Sequence, residues 1–364
     1  MIKYLGSKRR LLDLIGDVIS RGGGGSTVLD MFSGTSRVGH ALKRRGCRVI
    51  ANDHNAYAHV LARCYVAADR DDVKHEARLL IDEFNRLPGR PGYVTETFCE
   101  RARFFQPRNG ARIDAIREEI AAKNLSPDLE AVVLVALMEA ADRVDSTTGV
   151  QMAYLKTWAP RALNDLELRM PDVLPRPPAG RCEAHCLDAA EAARRCSADV
   201  AYVDPPYNQH SYLGNYHVWE SLVRWDKPEV YGVACKRVDC RTRRSTFNSR
   251  PRFGDAMRDL LAAIRAAMIV VSFNDEGWLD RDQMEAMLTG LWGGRGHVTT
   301  LATDVRRYVG AQIGIHNPRG EKVGRVGHLR NTEYLYVASE RPVADLLAGL
   351  PIAAAKRTSQ PVDA

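Results

Sequence analysis

The sequence has few of the features that mark zinc-binding, secreted or membrane proteins. None of its eight cysteines forms a Cys-x-x-Cys pair. The closest group, Cys182, Cys186 and Cys196, lacks the second close pair of ligands that a zinc site needs. No segment approaches the ~20 apolar residues of a membrane-spanning helix. We therefore predict no bound metal, reduced thiols, no membrane contact and a cytoplasmic location.

The sequence also shows no internal repeat. Its 364 residues are 45% apolar, which is enough for one large α/β domain or for a domain that carries an insertion. Only the tail 353–364 is predicted to be disordered. The net charge of +7 suits a partner with phosphates without requiring one.

The first 55 residues alternate between helix and strand patterns. Helical spacing of apolar residues covers 9–20, and buried strands are predicted at 28–32 and 47–52 with a helix at 38–46 between them. Strand, turn, helix and strand in this order form the unit of a parallel, doubly wound α/β sheet.

The middle of the chain breaks this alternation. Helices are predicted at 72–87, 112–123, 128–143 and 160–170, followed by a proline-rich connection over 171–181. We therefore expect a mainly helical insertion over 56–180.

The α/β alternation then resumes. Strands are predicted at 181–189, 199–203, 268–275, 297–305 and 332–338, and the last two are expected to pair antiparallel. These segments predict a sheet domain formed by residues 1–55 and 181–352.

Polar residues recur where the predicted strands end. They are Asp30 to Gly34, Asp53, Asp188, Asp204 to Tyr207, and Asn274 with Asp275. Ligands of open α/β sheets bind at the carboxyl ends of the strands, so we expect these residues to meet at one edge.

The tetrapeptide Asp204-Pro205-Pro206-Tyr207 carries the most specific chemistry. Its two prolines lack N–H donors, so they end the strand and fix a rigid, extended turn. In this turn the Asp204 carboxylate and the Pro205 carbonyl are placed to accept hydrogen bonds from one flat amino group. The Tyr207 ring is then available to lie against a planar base.

The motifs resemble those of the Dam-like, alpha-group N6-adenine DNA methyltransferases. DVAYVDPPY is similar to their catalytic motif, YLGSKRRLL to their opening segment, LDMFSGTSRVG to their methionine-binding motif and ANDHN to their ribose-binding strand end. The order of the motifs matches over nearly the whole chain. The resemblance implies a Rossmann-like sheet with a helical target-recognition insertion, and methyl transfer from S-adenosylmethionine to a flipped base of duplex DNA, leaving S-adenosylhomocysteine.

The resemblance also implies roles for individual residues. Asp30 would meet the cationic amino group of the cofactor, Asp53 its ribose hydroxyls and Asp188 its adenine amino group. A helix cap is the competing interpretation for both Asp53 and Asp188. The implied cofactor contacts are Tyr4, Gly6, Ser7, Lys8, Asp30, Phe32, Gly34, Asp53, Asp188 and Asp204. The implied catalytic residues are Asp204, Pro205, Pro206 and Tyr207.

The cofactor turn departs from the family pattern at one position. Ser36 stands where the family usually has a second glycine, and serine adopts a positive φ less easily. The single glycine of this turn also excludes a dinucleotide-dependent dehydrogenase, which would need Gly-x-Gly-x-x-Gly.

Two kinds of segment are predicted to contact DNA. The stretches 236–252 and 306–330 are basic, and the first carries seven Lys or Arg against one acid. The polar stretch 142–161 resembles the loop that approaches DNA in alpha-group relatives. The predicted contacts are Arg143, Ser146, Thr147, Gln151, Lys156, Lys236, Arg237, Arg241, Arg243, Arg244, Arg306 and Arg307. Residues expected to line a base pocket are Asn208, Gln209, His210 and Tyr212.

Several alternatives share this fold. Cytosine N4 is the nearest alternative target, but those enzymes more often carry Ser in place of Asp204, which favours adenine N6. Families that methylate RNA or protein glutamine usually begin the motif with Asn, and a non-catalytic DNA-binding relic would need a damaged motif. The expected partners are double-stranded DNA and, as an open alternative, a cognate restriction endonuclease, in a bacterial or phage protein that associates with the nucleoid.

Overall fold

The computed structural model describes residues 1–6, 8–23, 26–207, 209, 211–306 and 330–353. The predictions for Ser7, Asn208, His210, Arg307 and the side chain of Arg306 lie outside this description, as does nearly all of the predicted tail. In the part of the chain that is described, no helix is long and apolar enough to cross a membrane.

Helices and strands alternate at both ends of the chain. The helices are α1 (Leu12–Gly22), α2 (Arg37–Arg44), α3 (Ala56–Ala62), α4 (Arg70–Arg86), α5 (Pro107–Ala122), α6 (Pro127–Arg143), α7 (Ala189–Arg195), α8 (Tyr212–Asn215), α9 (His217–Arg224), α10 (Arg250–Ala263), α11 (Arg281–Thr289) and α12 (Leu291–Gly294). The strands are β1 (Thr27–Asp30), β2 (Arg48–Asn52), β3 (Glu183–His185), β4 (Val200–Val203), β5 (Val230–Tyr231), β6 (Lys236–Arg237), β7 (Met268–Asn274), β8 (His297–Arg306) and β9 (Arg330–Ser339). The segments Arg63–Ala67 and Thr95–Glu100 are π-helical.

Seven strands form one central sheet in the order β3-β2-β1-β4-β7-β9-β8. The first five strands of the sheet, β3, β2, β1, β4 and β7, are parallel to one another. Strand β9 runs antiparallel to both of its neighbours, β7 and β8. The predicted α/β class, and the antiparallel pairing of the last two strands, are therefore confirmed. The parallel strands read as continuous apolar runs because both faces of the sheet are covered.

Successive side chains of the strands enter two different cores. Val28 of β1 packs with α1 and α2 on one face of the sheet. Leu29, the next residue, packs with α7, α10 and α11 on the other face. This alternation fixes the register, since a slip of one residue would exchange the two faces.

The helices of 56–180 share a third core. Its members include residues from α3 to α6, but also Trp219 and Leu222 of α9, which follows the predicted catalytic strand. Side chains from both sides of the predicted boundary at 180 thus pack together. The division into a sheet domain and a target-recognition insertion stays a prediction.

The predicted helix over 160–170 is wrong except for a short 3-10 turn at Pro160–Leu163. Beyond it the backbone is held by side chains instead of by its own helical ladder. Asn109 Oδ1 accepts a hydrogen bond from the Leu166 N–H at 3.0 Å, and Asn85 Oδ1 accepts one from the Leu168 N–H at 2.8 Å. Apolar spacing alone does not reveal such distant partners.

A buried lysine ties the helix after the cofactor turn to the helical segment. The Lys43 side chain in α2 is completely buried. Its Nζ donates to the carbonyls of Val66 at 2.9 Å and Ala68 at 2.7 Å, and lies 3.1 Å from Asp69 Oδ1. Because all three ammonium donors have partners, this buried charge is compensated.

We predict that Lys43→Ala destabilises the protein by about 3 kcal/mol, because it leaves two buried carbonyls and a buried carboxylate short of a partner. Urea denaturation measures this loss. The matched control, Lys74→Ala on the exposed side of α4, is expected to change the free energy of unfolding by about 0.5 kcal/mol or less. Equal losses in the two variants would contradict this account.

Candidate active site

Most of the predicted cofactor residues line one cavity at the carboxyl edge of the sheet. The loop after β1, the end of β2, the end of β4 and the N-terminal segment all reach it. The predicted residues among its lining are Tyr4, Gly6, Lys8, Asp30, Phe32, Gly34, Asp53 and Asp204. Their convergence follows from the parallel strand order, which brings the ends of β1, β2 and β4 side by side.

The turn after β1 is held by two carboxylates. Asp53 Oδ2 accepts a hydrogen bond from the Gly34 N–H at 3.0 Å, and Asp30 Oδ2 accepts one from the Gly39 N–H at 3.1 Å. Gly34 has a φ of +51°, and a Cβ there would lie 3.3 Å from the Tyr4 ring. Both the conformation and the nearby Tyr4 ring therefore favour glycine at this position.

Ser36 also lies in the left-handed region, with a φ of 59°. Serine adopts a positive φ less easily than the glycine expected here from the sequence. In the structure Ser36 has this strained conformation. The side chain is fully buried, and its Oγ has no hydrogen-bond partner among the described residues.

A stack of tyrosines forms the wall opposite this turn. The Tyr4 ring is stacked on Tyr216 with centroids 4.5 Å apart and on Tyr212 at 5.3 Å. The Tyr4 and Tyr57 hydroxyls are 3.2 Å apart. Tyr212, predicted to line a base pocket, borders the cofactor cavity as well.

The catalytic motif lies beside a buried ion-pair cluster. Lys8 Nζ is 3.3 Å from Asp204 Oδ1 and 3.0 Å from Glu333 Oε2. Asn274, at the end of β7, donates from Nδ2 to the Tyr207 hydroxyl at 3.0 Å. The Tyr207 ring packs edge-on against Phe273, with centroids 5.1 Å apart.

Burial and mutual repulsion shift the charges of this site. Burial, together with the Asp204 carboxylate, raises the pKa of Asp30 to about 7. Burial also raises the pKa of Asp204 to about 6, where Lys8 lowers it and Glu333 raises it. Although burial acts to lower the pKa of Lys8, the neighbouring Asp204 and Glu333 carboxylates raise it well above its ordinary value.

Asp188 is placed apart from the cavity lining. It is exposed and caps α7, where its Oδ1 accepts a hydrogen bond from the Ala190 N–H at 2.9 Å. The competing interpretation as a helix cap is therefore what the structure shows. Its predicted contact with the cofactor adenine stays a prediction.

A second, polar cleft adjoins the first cavity. Ser245 lines both. The predicted DNA contacts Lys236 and Arg244 line this cleft, and the predicted base-pocket residue Gln209 does so as well. Arg241 is exposed at its border, where its guanidinium lies 4.0 Å from the centroid of the Tyr231 ring.

The structure contradicts the prediction that Arg237 grips phosphates. Its side chain is buried, and its guanidinium lies 2.6 and 2.7 Å from the Asp226 carboxylate and 3.1 Å from Asp239. Arg243 is likewise bonded to Glu220, at 2.9 Å, and to Asp239, at 3.2 Å. These two arginines hold the basic segment against α9. A count of Lys and Arg in the sequence therefore gives too many side chains for binding phosphates.

Three predicted contacts in the polar stretch are also contradicted. Ser146, Thr147 and Gln151 are buried. Ser146 Oγ accepts from the Ala159 N–H, Thr147 Oγ1 donates to Asp145, and Gln151 Oε1 accepts from the Val218 N–H. Their polar atoms shape the loop itself.

The remaining predicted contacts of this stretch lie at the surface. Arg143 is partly exposed and donates to the Glu167 carbonyl at 2.7 Å, and Lys156 is exposed. Their contacts with DNA stay predictions.

Glu333 is the main site residue that the sequence analysis missed. It lies near the start of β9, opposite Asn274 of β7. Because β9 is antiparallel, its start lies at the edge where the parallel strands end. The sequence predicts only that β8 and β9 pair with each other, which gives no reason to place Glu333 beside the ends of the parallel strands.

We predict that Ser36→Gly stabilises the protein by about 0.5–1 kcal/mol, because glycine removes the left-handed strain while losing more chain entropy on folding. Urea denaturation provides the measurement. Gly34→Ala serves as the matched comparison, and it should destabilise by about 1 kcal/mol or more. A destabilised Ser36→Gly variant would show instead that the buried hydroxyl contributes more than the strain costs.

Comparison with known proteins gives a consistent result. The family model of the D12 class N6 adenine-specific DNA methyltransferases matches residues 4–287. The chain is 28% identical to the Type II methyltransferase M.NlaIII of Neisseria lactamica over 350 residues, which cover 92% of this chain and 98% of that protein. It is also 28% identical to M.CviAII of Paramecium bursaria Chlorella virus 1 over 294 residues, covering 79% and 88%.

A longer relative is matched only in part. The chain is 29% identical to the Type II methyltransferase M.FokI of Planomicrobium okeanokoites over 307 residues, or 79% of this chain, but it spans only 46% of that protein. The matched family region contains the residues that line the cavity, the turn after β1 and the tetrapeptide 204–207. The chain belongs to the D12 class of N6 adenine-specific DNA methyltransferases, a family of enzymes.

Proposed function

We propose that this chain transfers a methyl group from S-adenosylmethionine to N6 of adenine in duplex DNA. The observation that carries the proposal is the placement of Asp204 in the lining of the same cavity as Asp30, Gly34 and Asp53. The amino-group acceptor and the predicted cofactor residues thus face one space.

The residues of the cavity fit S-adenosylmethionine. Asp30, Asp53 and Asp204 line it, and Glu333 lies beside Lys8, so these four carboxylates outnumber the two Lys and Arg side chains of the lining, Lys8 and Arg37. Such a site favours a ligand that carries a sulfonium and an ammonium. Asp30 would meet the amino group and Asp53 the ribose hydroxyls, while Gly34 leaves space that a Cβ would fill.

The chain's own residues would orient the target. When bound, the cofactor supplies an electrophilic methyl group on a sulfonium. The lone pair of the target nitrogen is delocalised into the ring, which makes it a weak nucleophile. Hydrogen bonds to Asp204 and to the Pro205 carbonyl would favour a tetrahedral nitrogen and aim its lone pair. This direct displacement needs no covalent intermediate on the enzyme.

The target base must leave the DNA helix to reach Asp204. The second cleft, of about 650 Å³, has the size of a ligand pocket and shares Ser245 with the cofactor cavity. Lys236, Arg244 and the exposed Arg241 surround it with positive charge. We propose that the flipped nucleotide enters here and that Tyr207 stacks on its ring.

The family description favours adenine over cytosine N4, which stays the second candidate target. Relatives are named as Type II methyltransferases and modification methylases. We therefore propose that this chain modifies the recognition site of a cognate restriction endonuclease.

The pKa of Asp30, about 7, predicts a pH dependence for cofactor binding. Only ionised Asp30 attracts the ammonium group, so affinity falls as the pH falls through 7. From pH 7.5 to 6 the ionised fraction, and with it the affinity, should drop about eightfold. Calorimetric titration with S-adenosylmethionine measures this. Asp30→Asn should bind weakly and lose most of this pH dependence, with only the smaller change from Asp204, whose pKa is about 6, remaining. A flat profile in the wild-type protein would contradict the assignment of Asp30.

Expression in a methylation-free host, followed by modification-sensitive sequencing of its DNA, tests the proposed reaction. We expect N6-methyladenine at one defined site. Asp204→Ala should abolish methylation while cofactor binding remains measurable. Methylation at cytosine N4 would favour the second candidate, and no methylation above background would contradict the proposal.

A further inference from the structure

The ammonium of Lys8 is shared between two carboxylates from distant parts of the chain. The Lys8 side chain is only 7% exposed, and its Nζ lies nearer to Glu333 Oε2, at 3.0 Å, than to Asp204 Oδ1, at 3.3 Å. Glu333 is itself largely buried. Its strand β9 pairs with both β7 and β8, so the backbone that carries this side chain is held by hydrogen bonds on each side.

This sharing affects what Asp204 can do for a substrate. A carboxylate that is closely paired with an ammonium is a weaker acceptor for a neutral amino group, because its charge is already compensated. A second carboxylate that competes for the same ammonium leaves Asp204 with more accepting capacity.

We propose that Glu333 is a positioning residue for methyl transfer, which holds Lys8 so that the Asp204 carboxylate stays available to the target amino group. The inference rests on the proposed function and adds a residue that the catalytic motif does not contain. Glu333 acts through Lys8.

Other charged or titratable groups also face this cluster. Asp30 from β1 and Tyr202 from β4 act on Asp204 or Lys8, and Tyr207 lies with its ring centroid 5.9 Å from Lys8 Nζ. Among the described residues, Asp53 also interacts electrostatically with Asp30, Tyr212 with Asp204 and Lys8, and Glu276 with Tyr207. A substitution of Glu333 alone leaves all of these residues in the sequence, so the comparison with the wild-type protein changes one charged group only.

Glu333→Gln keeps the size and hydrogen-bonding capacity of the side chain and removes its charge. Lys8 would then pair with Asp204 alone. We expect the pKa of Asp204 to fall by about one unit and the methyl-transfer rate at the pH plateau to fall roughly tenfold.

Two measurements test this. A pH titration of the Asp204 carboxyl by ¹³C NMR, assigned with Asp204→Asn, reports its pKa without turnover. Single-turnover methylation at saturating DNA and S-adenosylmethionine gives the rate at each pH. The fall of this rate on the acid side of the pH profile should move to lower pH in Glu333→Gln. The dissociation constant for S-adenosylmethionine should change less than about threefold, which separates positioning from cofactor binding.

Two further variants complete the design. Glu333→Asp keeps the charge, so the pKa of Asp204 and the pH at which the rate falls should both stay close to their wild-type values. Glu340→Gln removes a carboxylate just beyond the same strand, where it pairs with Arg295 at 2.8 Å, and should leave both measurements unchanged.

An unchanged pKa of Asp204 in Glu333→Gln would overturn the inference, as would a rate loss fully explained by weaker cofactor binding. If neither Glu333 variant folds, the residue serves stability and the inference is wrong. If the wild-type protein methylates no DNA, the proposed function fails, whereas the NMR titration still decides for or against Glu333.

Discussion

The structure depends on the crowding of carboxylates around one buried ammonium at the carboxyl edge of the sheet. Asp30, Asp53 and Asp204 line the cavity from three adjacent parallel strands or the loops that follow them, and Glu333 reaches the cluster from β9. The ammonium of Lys8 pairs with two of these carboxylates, Asp204 and Glu333. Burial raises the pKa of Asp30 and of Asp204, so a cationic ligand in this cavity would favour the ionised forms of both carboxylates.

The same crowding explains why the N-terminal segment matters. Residues 1–6 and Lys8 precede the first helix, yet Tyr4 stacks on Tyr212 and Tyr216, and Lys8 pairs with Asp204. The segment thus joins the start of the chain to the region after β4. Its conformation depends on distant contacts, including the Leu5 N–H, which donates to the Tyr216 hydroxyl at 2.6 Å.

Much of the fold could be predicted from sequence because its signals are local. Apolar runs marked the parallel strands, and the double proline after Val203 marked where a strand ends. The alternation of strands with helices then brought Asp30, Asp53 and Asp204 to one edge in the prediction, and one cavity contains them. The exceptions depend on contacts between distant residues.

Three of these exceptions share one cause. The extended chain after Leu163 is held by asparagines more than 50 positions away. Arg237 is paired with Asp226, which lies outside the segment 236–252 whose charges were counted from the sequence. Glu333 lies 325 positions from Lys8 and needed the strand order to be recognised as a neighbour. A single sequence shows the residue types in such clusters, but not which of them meet.

The burial of Arg237 has a consequence for how salt should act on DNA binding. The segment 236–252 carries seven Lys or Arg, of which Arg237 and Arg243 are already neutralised by carboxylates. At most five can displace counterions from the phosphate backbone. The segment should therefore contribute a slope no steeper than about −4.5 to the logarithmic dependence of affinity on salt concentration. Two of its seven positive charges stabilise the folded protein and are not available to a phosphate backbone.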